Sequence, residues 1–91
     1  MWLRLYTSIV HDPKVQCLTS DDFRGWINIL CLAKEGDGLL PSIRDIAFSL
    51  RITQAEAQRL LEVLESEGLL DATDKGLKPH NWNGRQFQSD V

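Results

Sequence analysis

The chain has 91 residues, 43% of them hydrophobic and 25% charged, with a net charge of −3 at pH 7. That is the composition of one globular domain, able to bury roughly 60–70% of its unfolded surface without staples. The acidic balance argues against indiscriminate nucleic-acid binding. The absence of a signal peptide and of any apolar run near about 18 residues argues for a cytoplasmic protein that does not span a membrane.

Taken in order, Met1 to Val10 is mostly apolar. Trp2, Arg4 and Tyr6 alternate with Leu3 and Leu5, which suits a short extended segment or an irregular arm packed on the core. Thr7 and Ser8 can start a helical turn through Ile9 and Val10. Asp12-Pro13 is a good N-cap and first-turn pair, so Pro13 to Cys17 reads as a short helix.

Ser20 to Lys34 reads as the strongest helix. Ser20 is its expected cap, Asp21 and Asp22 favour its positive end, and Glu35-Gly36-Asp37-Gly38 ends it. Phe23, Trp26, Ile27, Ile29, Leu30, Cys31, Leu32 and Ala33 leave little polar face. Such a helix is buried on several sides, with Cys31 in the core, or lends some apolar surface to a partner subunit.

The segment that follows carries the main motif. Ile43, Ile46, Ala47 and Leu50 are spaced i, i+3, i+4, i+7, one helical stripe over Ser42–Leu50 with Ser42 as cap. Ala57, Leu60, Leu61 and Leu64 repeat that spacing over Gln54–Glu67. Thr53 and Glu56 form a T-x-x-E capping box, and Gly68 supplies a left-handed stop. Only Arg51 and Ile52 separate Leu50 from Thr53, so the helices meet at a sharp angle: a helix-turn-helix.

Leu69 to Ala72, a turn at Asp74-Lys75-Gly76, and Leu77 to Trp82 read as a hairpin behind it, with Leu39-Leu40 as a short third strand. Pro79 lacks an N–H, so its strand belongs at an edge or a bulge. The expected fold is mainly α with a small β-hairpin, a winged helix-turn-helix over residues 1–80. Residues 81–91 read as a polar, extended tail.

These residues resemble the N-terminal domain of phage replisome organisers and related phage replication-initiation proteins. The likeness rests on Trp2-Leu3-Arg4-Leu5-Tyr6, Asp12-Pro13-Lys14-Val15 and the aromatic helix from Phe23-Arg24-Gly25-Trp26. It continues through Leu40-Pro41-Ser42 and the closing run Asn81-Trp82-Asn83-Gly84-Arg85-Gln86-Phe87-Gln88-Ser89-Asp90. The resemblance implies a winged-helix domain that helps open or mark a replication origin and recruits helicase machinery. Longer members continue into an Arg-rich segment or a second domain, and the sequence leaves open whether this chain is a piece of a longer protein.

In a helix-turn-helix the second helix enters the major groove N-terminal end first. At about 100° per residue, the face opposite the apolar stripe carries Ala55, Gln58, Arg59, Glu62 and Ser66, with Gln54 at its edge. Gln54 and Gln58 suit adenine, Arg59 suits guanine or phosphate, and Ala55 permits close approach. Glu62, Glu65 and Glu67 would meet phosphate repulsion, which favours a steeply inserted helix.

Arg44 and Arg51 flank the motif as phosphate contacts, as do Lys75, Lys78 and His80 on the wing. Arg59 has a second reading, pairing with Glu62 or Glu56 along its own helix. Arg85 with Phe87 suits nucleic acid or a linker. Positive charge is concentrated late: residues 1–74 hold seven Lys/Arg against twelve Asp/Glu, and Lys75, Lys78 and Arg85 face only Asp90.

The expected function is binding of double-stranded DNA in phage replication initiation. The alternatives are an assembly module, a homodimer or a contact for a helicase or helicase loader, and a transcriptional regulator. No catalytic arrangement, metal cluster or cofactor loop is recognisable, so no enzymatic activity and no cofactor are expected.

Overall fold

The computed structural model describes residues 1–86. Among them are five α-helices and a two-stranded antiparallel hairpin: α1 (Pro13–Gln16), α2 (Ser20–Glu35), α3 (Ile43–Leu50), α4 (Gln54–Ser66), β1 (Leu70–Thr73), β2 (Gly76–Pro79) and α5 (Trp82–Arg85). A single 3-10 turn, Thr7–His11, follows the extended N-terminal arm. No helix among the described residues is long and apolar enough to cross a membrane.

Asp12 caps α1 by accepting from the Lys14 amide at 3.0 Å, and Pro13 occupies the first position, where no donor is missed. The helix is short but anchored, because Val15 is fully buried.

The central element is α2. Its cap is Thr19, not Ser20: the Thr19 hydroxyl accepts from the Asp22 amide at 3.2 Å, and Ser20 is already helical. Gly25, Trp26, Ile29, Leu30 and Ala33 are buried where α2 meets α3, α4 and β2. Gly25 is needed at the closest approach: a Cβ there would lie 2.7 Å from Leu60 Cδ2. Cys31 corrects the expectation of a core thiol, because it is exposed. An apolar composition all round does not bury every side. Position 31 lies off the buried arc, and Ile27 and Leu32 are only half-buried.

Ser42 caps α3 through the Asp45 amide, 3.2 Å. Ile46 and Ala47 are buried, with Ile43 and Leu50 packed at their edge. The turn into α4 is made by Arg51, which adopts the left-handed region at φ 60, ψ 44, and by the Ile52 amide donating to Ala47 O at 3.1 Å. The Thr53 capping box then opens α4, with both of its bonds at 3.0 Å. Ala57, Leu60, Leu61 and Leu64 form the buried stripe. Gly68, at φ 78, stops the helix, and the Leu69 amide returns to Leu64 O at 2.8 Å.

In the hairpin, Leu70 pairs with Pro79, Asp71 with Lys78, Ala72 with Leu77 and Thr73 with Gly76. The expected third strand at Leu39-Leu40 reduces to one bond, Leu40 amide to Leu77 O at 3.1 Å. The Leu39 amide is taken by Gly36 O and Pro41 has no N–H, so no ladder extends on either side. The second strand also ends at Pro79 rather than Trp82.

Residues 81–86 are not an extended tail. Asn81, at φ 56, turns the chain into α5 and seats Trp82 in the core at 7% exposure. Gln86 clamps the N-terminal arm, accepting from the Arg4 amide at 3.2 Å and donating to Arg4 O at 2.9 Å. The Tyr6 hydroxyl donates to Gly84 O at 3.3 Å. The polar run therefore holds one deeply buried anchor, Trp82, in the core-covering role expected of an aromatic at the end of the hairpin, and a two-way amide clamp.

Candidate nucleic-acid interface

The α3–α4 pair buries one face of each helix and leaves the opposite faces in solvent. On α4, Gln54, Ala55, Gln58 and Arg59 are all exposed and share one side. The burial of Ala57, Leu60, Leu61 and Leu64 against α2 and α3 places them there. These are the four positions the sequence assigns to a groove, and none is covered by the described residues of the domain.

Two of the four are already engaged. Gln58 Nε2 donates to Glu62 Oε1 at 3.0 Å, one turn along the same helix. Arg59 makes a fork with Asp22 of α2, Nη2 to Oδ1 at 2.7 Å and Nη1 to Oδ2 at 3.4 Å. The pairing expected along α4, with Glu56 or Glu62, is thus replaced by a partner on another helix. Glu56 is occupied by its capping box, whose Thr53 amide holds the carboxyl below its ordinary range.

The fork links a buried carboxylate to an open guanidinium: the Asp22 side chain is 7% exposed and that of Arg59 59%. Donation from Arg59 pulls the Asp22 carboxyl below its usual value, outweighing a burial that alone would raise it. The same bond raises the Arg59 pKa further. Beside this pair, a cleft of about 280 Å³ runs between α2 and the α3–α4 turn, lined by Asp21, Arg24, Asn28 and Ile52 among others.

Arg44 and Arg51 occupy a different face, on α3 and its C-cap. Arg44 is exposed, its Nε 3.6 Å from Asp45. Arg51 donates from Nη1 to Phe48 O at 3.3 Å, and its guanidinium lies 4.9 Å from the centre of the Phe48 ring. Phe48 itself is 72% exposed. Neither the apolar stripe of α3 nor the groove face of α4 includes this residue. Its signal was available: it is a large aromatic lying outside the i, i+3, i+4, i+7 stripe of its own helix.

The hairpin holds the remaining cations. Lys75 is exposed at the turn, where the Thr73 hydroxyl accepts its amide at 3.2 Å and donates to Gly76 O at 2.6 Å. Lys78 is half-buried opposite Asp71. His80 Nδ1 lies 3.0 Å and 3.2 Å from the two carboxylate oxygens of Asp71. Asp71 therefore offsets the positive charge expected of this element, and Lys75 is its open cation. Arg85 closes α5. Phe87, Gln88, Ser89 and Asp90 of the closing run lie outside the described residues.

Among the described residues no three His, Cys, Asp or Glu side chains are grouped as metal ligands. Comparison of the chain with protein-family models, curated proteins and solved structures finds no match.

Proposed function

We propose that this chain is a winged-helix DNA-binding domain acting in phage replication initiation. In this reading α4 lies in the major groove of double-stranded DNA, and the β1–β2 hairpin is a wing against phosphates. The mainly helical fold with its hairpin after the α3–α4 pair is compatible with that arrangement. The observation that carries the proposal is the open leading face of α4: Gln54, Ala55 and Gln58 point away from the core in the first two turns. Gln58 exchanges an intrahelical bond for a base edge at little cost, since both partners are exposed. Arg59, held by Asp22, is oriented by the fork and contributes through phosphate rather than base contact. Arg44, Arg51 and Lys75 supply further phosphate contacts. The role in replication rests on the sequence resemblance alone.

A mobility-shift titration over a salt series tests this. Duplex affinity falls steeply as salt rises if several phosphates are neutralised, with a slope of about −0.9 per phosphate. No retardation at low salt removes the reading.

A second reading, an assembly module, is favoured by one observation. Met1, Trp2, Leu5 and Val10 expose apolar surface at 93%, 64%, 44% and 62% along the N-terminal arm and the turn after it. Absence of duplex binding together with concentration-dependent association in sedimentation would select it.

A further inference from the structure

We propose that Arg44, Phe48 and Arg51 form a strip that binds single-stranded DNA, with an unpaired base stacked on Phe48 and the flanking phosphates on the two arginines. Positions 44 and 48 fall one turn apart on the face of α3 turned away from Ile46 and Ala47, and Arg51, the left-handed C-cap, brings its guanidinium over the Phe48 ring. Phe48 is 72% exposed. A ring that large gains nothing from water and belongs to no part of the described core. Arg51 covers one side of it at 4.9 Å, which stiffens the ring and leaves its other side open.

The charges decide the occupant. Arg44 precedes Phe48 and Arg51 follows it along α3 and its C-cap, two cations bracketing an aromatic in a chain whose net charge is −3. A nucleic-acid strand repeats the complementary order, phosphate, base, phosphate. Arg44 and Arg51 are seven residues apart, about 10 Å along a helix axis, and their long side chains can reach the phosphates on either side of one base. Asp45 does not close the strip: its 3.6 Å pair with Arg44 is exposed on both sides and is easily exchanged for phosphate. An intact duplex hides its base faces, so the open ring fits a strand with unstacked bases. The strip does not rest on the duplex reading, although it shares two cations with it. Arg44 and Arg51 are common to both, but Phe48 serves only this one.

Fluorescence anisotropy at low salt with labelled oligothymidine, and with an abasic oligonucleotide of the same length, tests the strip. Oligothymidine is expected to bind about tenfold tighter or more than the abasic strand. Phe48→Ala and Phe48→Leu abolish that difference while keeping the wild-type melting temperature, and Phe48→Tyr retains it. Equal affinity for the two strands overturns the proposal, as does an unchanged preference in Phe48→Leu. Displacement of the strand by polyglutamate at equal charge concentration overturns it in favour of an acidic protein partner. Duplex affinity that survives Phe48→Leu while the oligothymidine preference is lost separates this site from α4.

Discussion

The guanidinium of Arg59 on α4 grips the carboxylate of Asp22 on α2 through both terminal nitrogens, at 2.7 Å and 3.4 Å. The Asp22 side chain is almost enclosed, so this fork satisfies a charge that has left water. It also ties the first turn of α2 to the second turn of α4. Arg59 is thus a structural residue of the α2–α4 contact. Arg59→Ala is therefore expected to lower the urea midpoint of the domain, because it leaves the enclosed Asp22 carboxylate without its partner. The exposed half of the pair keeps the effect below that of a fully buried bridge. In a double-mutant cycle with Asp22→Asn, urea unfolding should show that the second substitution recovers part of the loss. Additive losses would mean that the two side chains do not interact in solution.

The same pair sets an acid response. Asp22 titrates below its ordinary value in the folded state because Arg59 donates to its charged form. Folding is thus stabilised by this group above the unfolded carboxyl pKa, near 3.9, and loses that contribution as pH falls through the lower folded value. Glu56, lowered by the Thr53 cap, acts with the same sign. Chemical unfolding from pH 7 down to about pH 2 should show wild type falling toward the Asp22→Asn protein below about pH 4. Parallel curves through that range would exclude the linkage.

Base readout is best tested without disturbing the fork. Gln54→Ala with Gln58→Ala removes the two amides on the open face of α4, where neither side chain supports the core. Melting should stay within about 0.5 kcal/mol of wild type. Affinity for a selected duplex site should drop by more than about 1 kcal/mol, with non-specific binding nearly unchanged. Specific affinity that survives the double substitution would take α4 out of the groove.

The helices α3 and α4 are legible because end signals and apolar spacing agree in each. Ser42, the Thr53–Glu56 box and Gly68 mark ends that the apolar spacing of α3 and α4 marks independently. Where one signal stood alone, tertiary context overrode it. Ser20 and Thr19 are equivalent caps by composition, and the backbone chose Thr19. Cys31 is apolar by type, yet it sits on the side of α2 that nothing among the described residues covers. Arg59 has acidic neighbours at i−3 and i+3, but its partner lies 37 positions away, a separation no helical rule reaches. Phe48 broke the stripe of its own helix, and that irregularity pointed to the surface.

The C-terminal boundary provides the last test. Trp82 is 7% exposed and follows a strand that ends at Pro79, so a domain cut at His80 discards a core side chain. The indole packs against Gly38, where an added Cβ would come within 2.9 Å of its Cδ1 and Nε1. It also borders a small void shared with Trp26, Leu30 and Leu69. Trp82→Ala should cost about 3–5 kcal/mol, the usual penalty for emptying a buried aromatic site. A chain ending at His80 should lose at least as much, because it also gives up the Gln86 clamp on Arg4. Both are read as a fall in the urea midpoint with little change in slope. An unaltered midpoint in the shortened chain would return the boundary to residue 80 and make α5 a passenger.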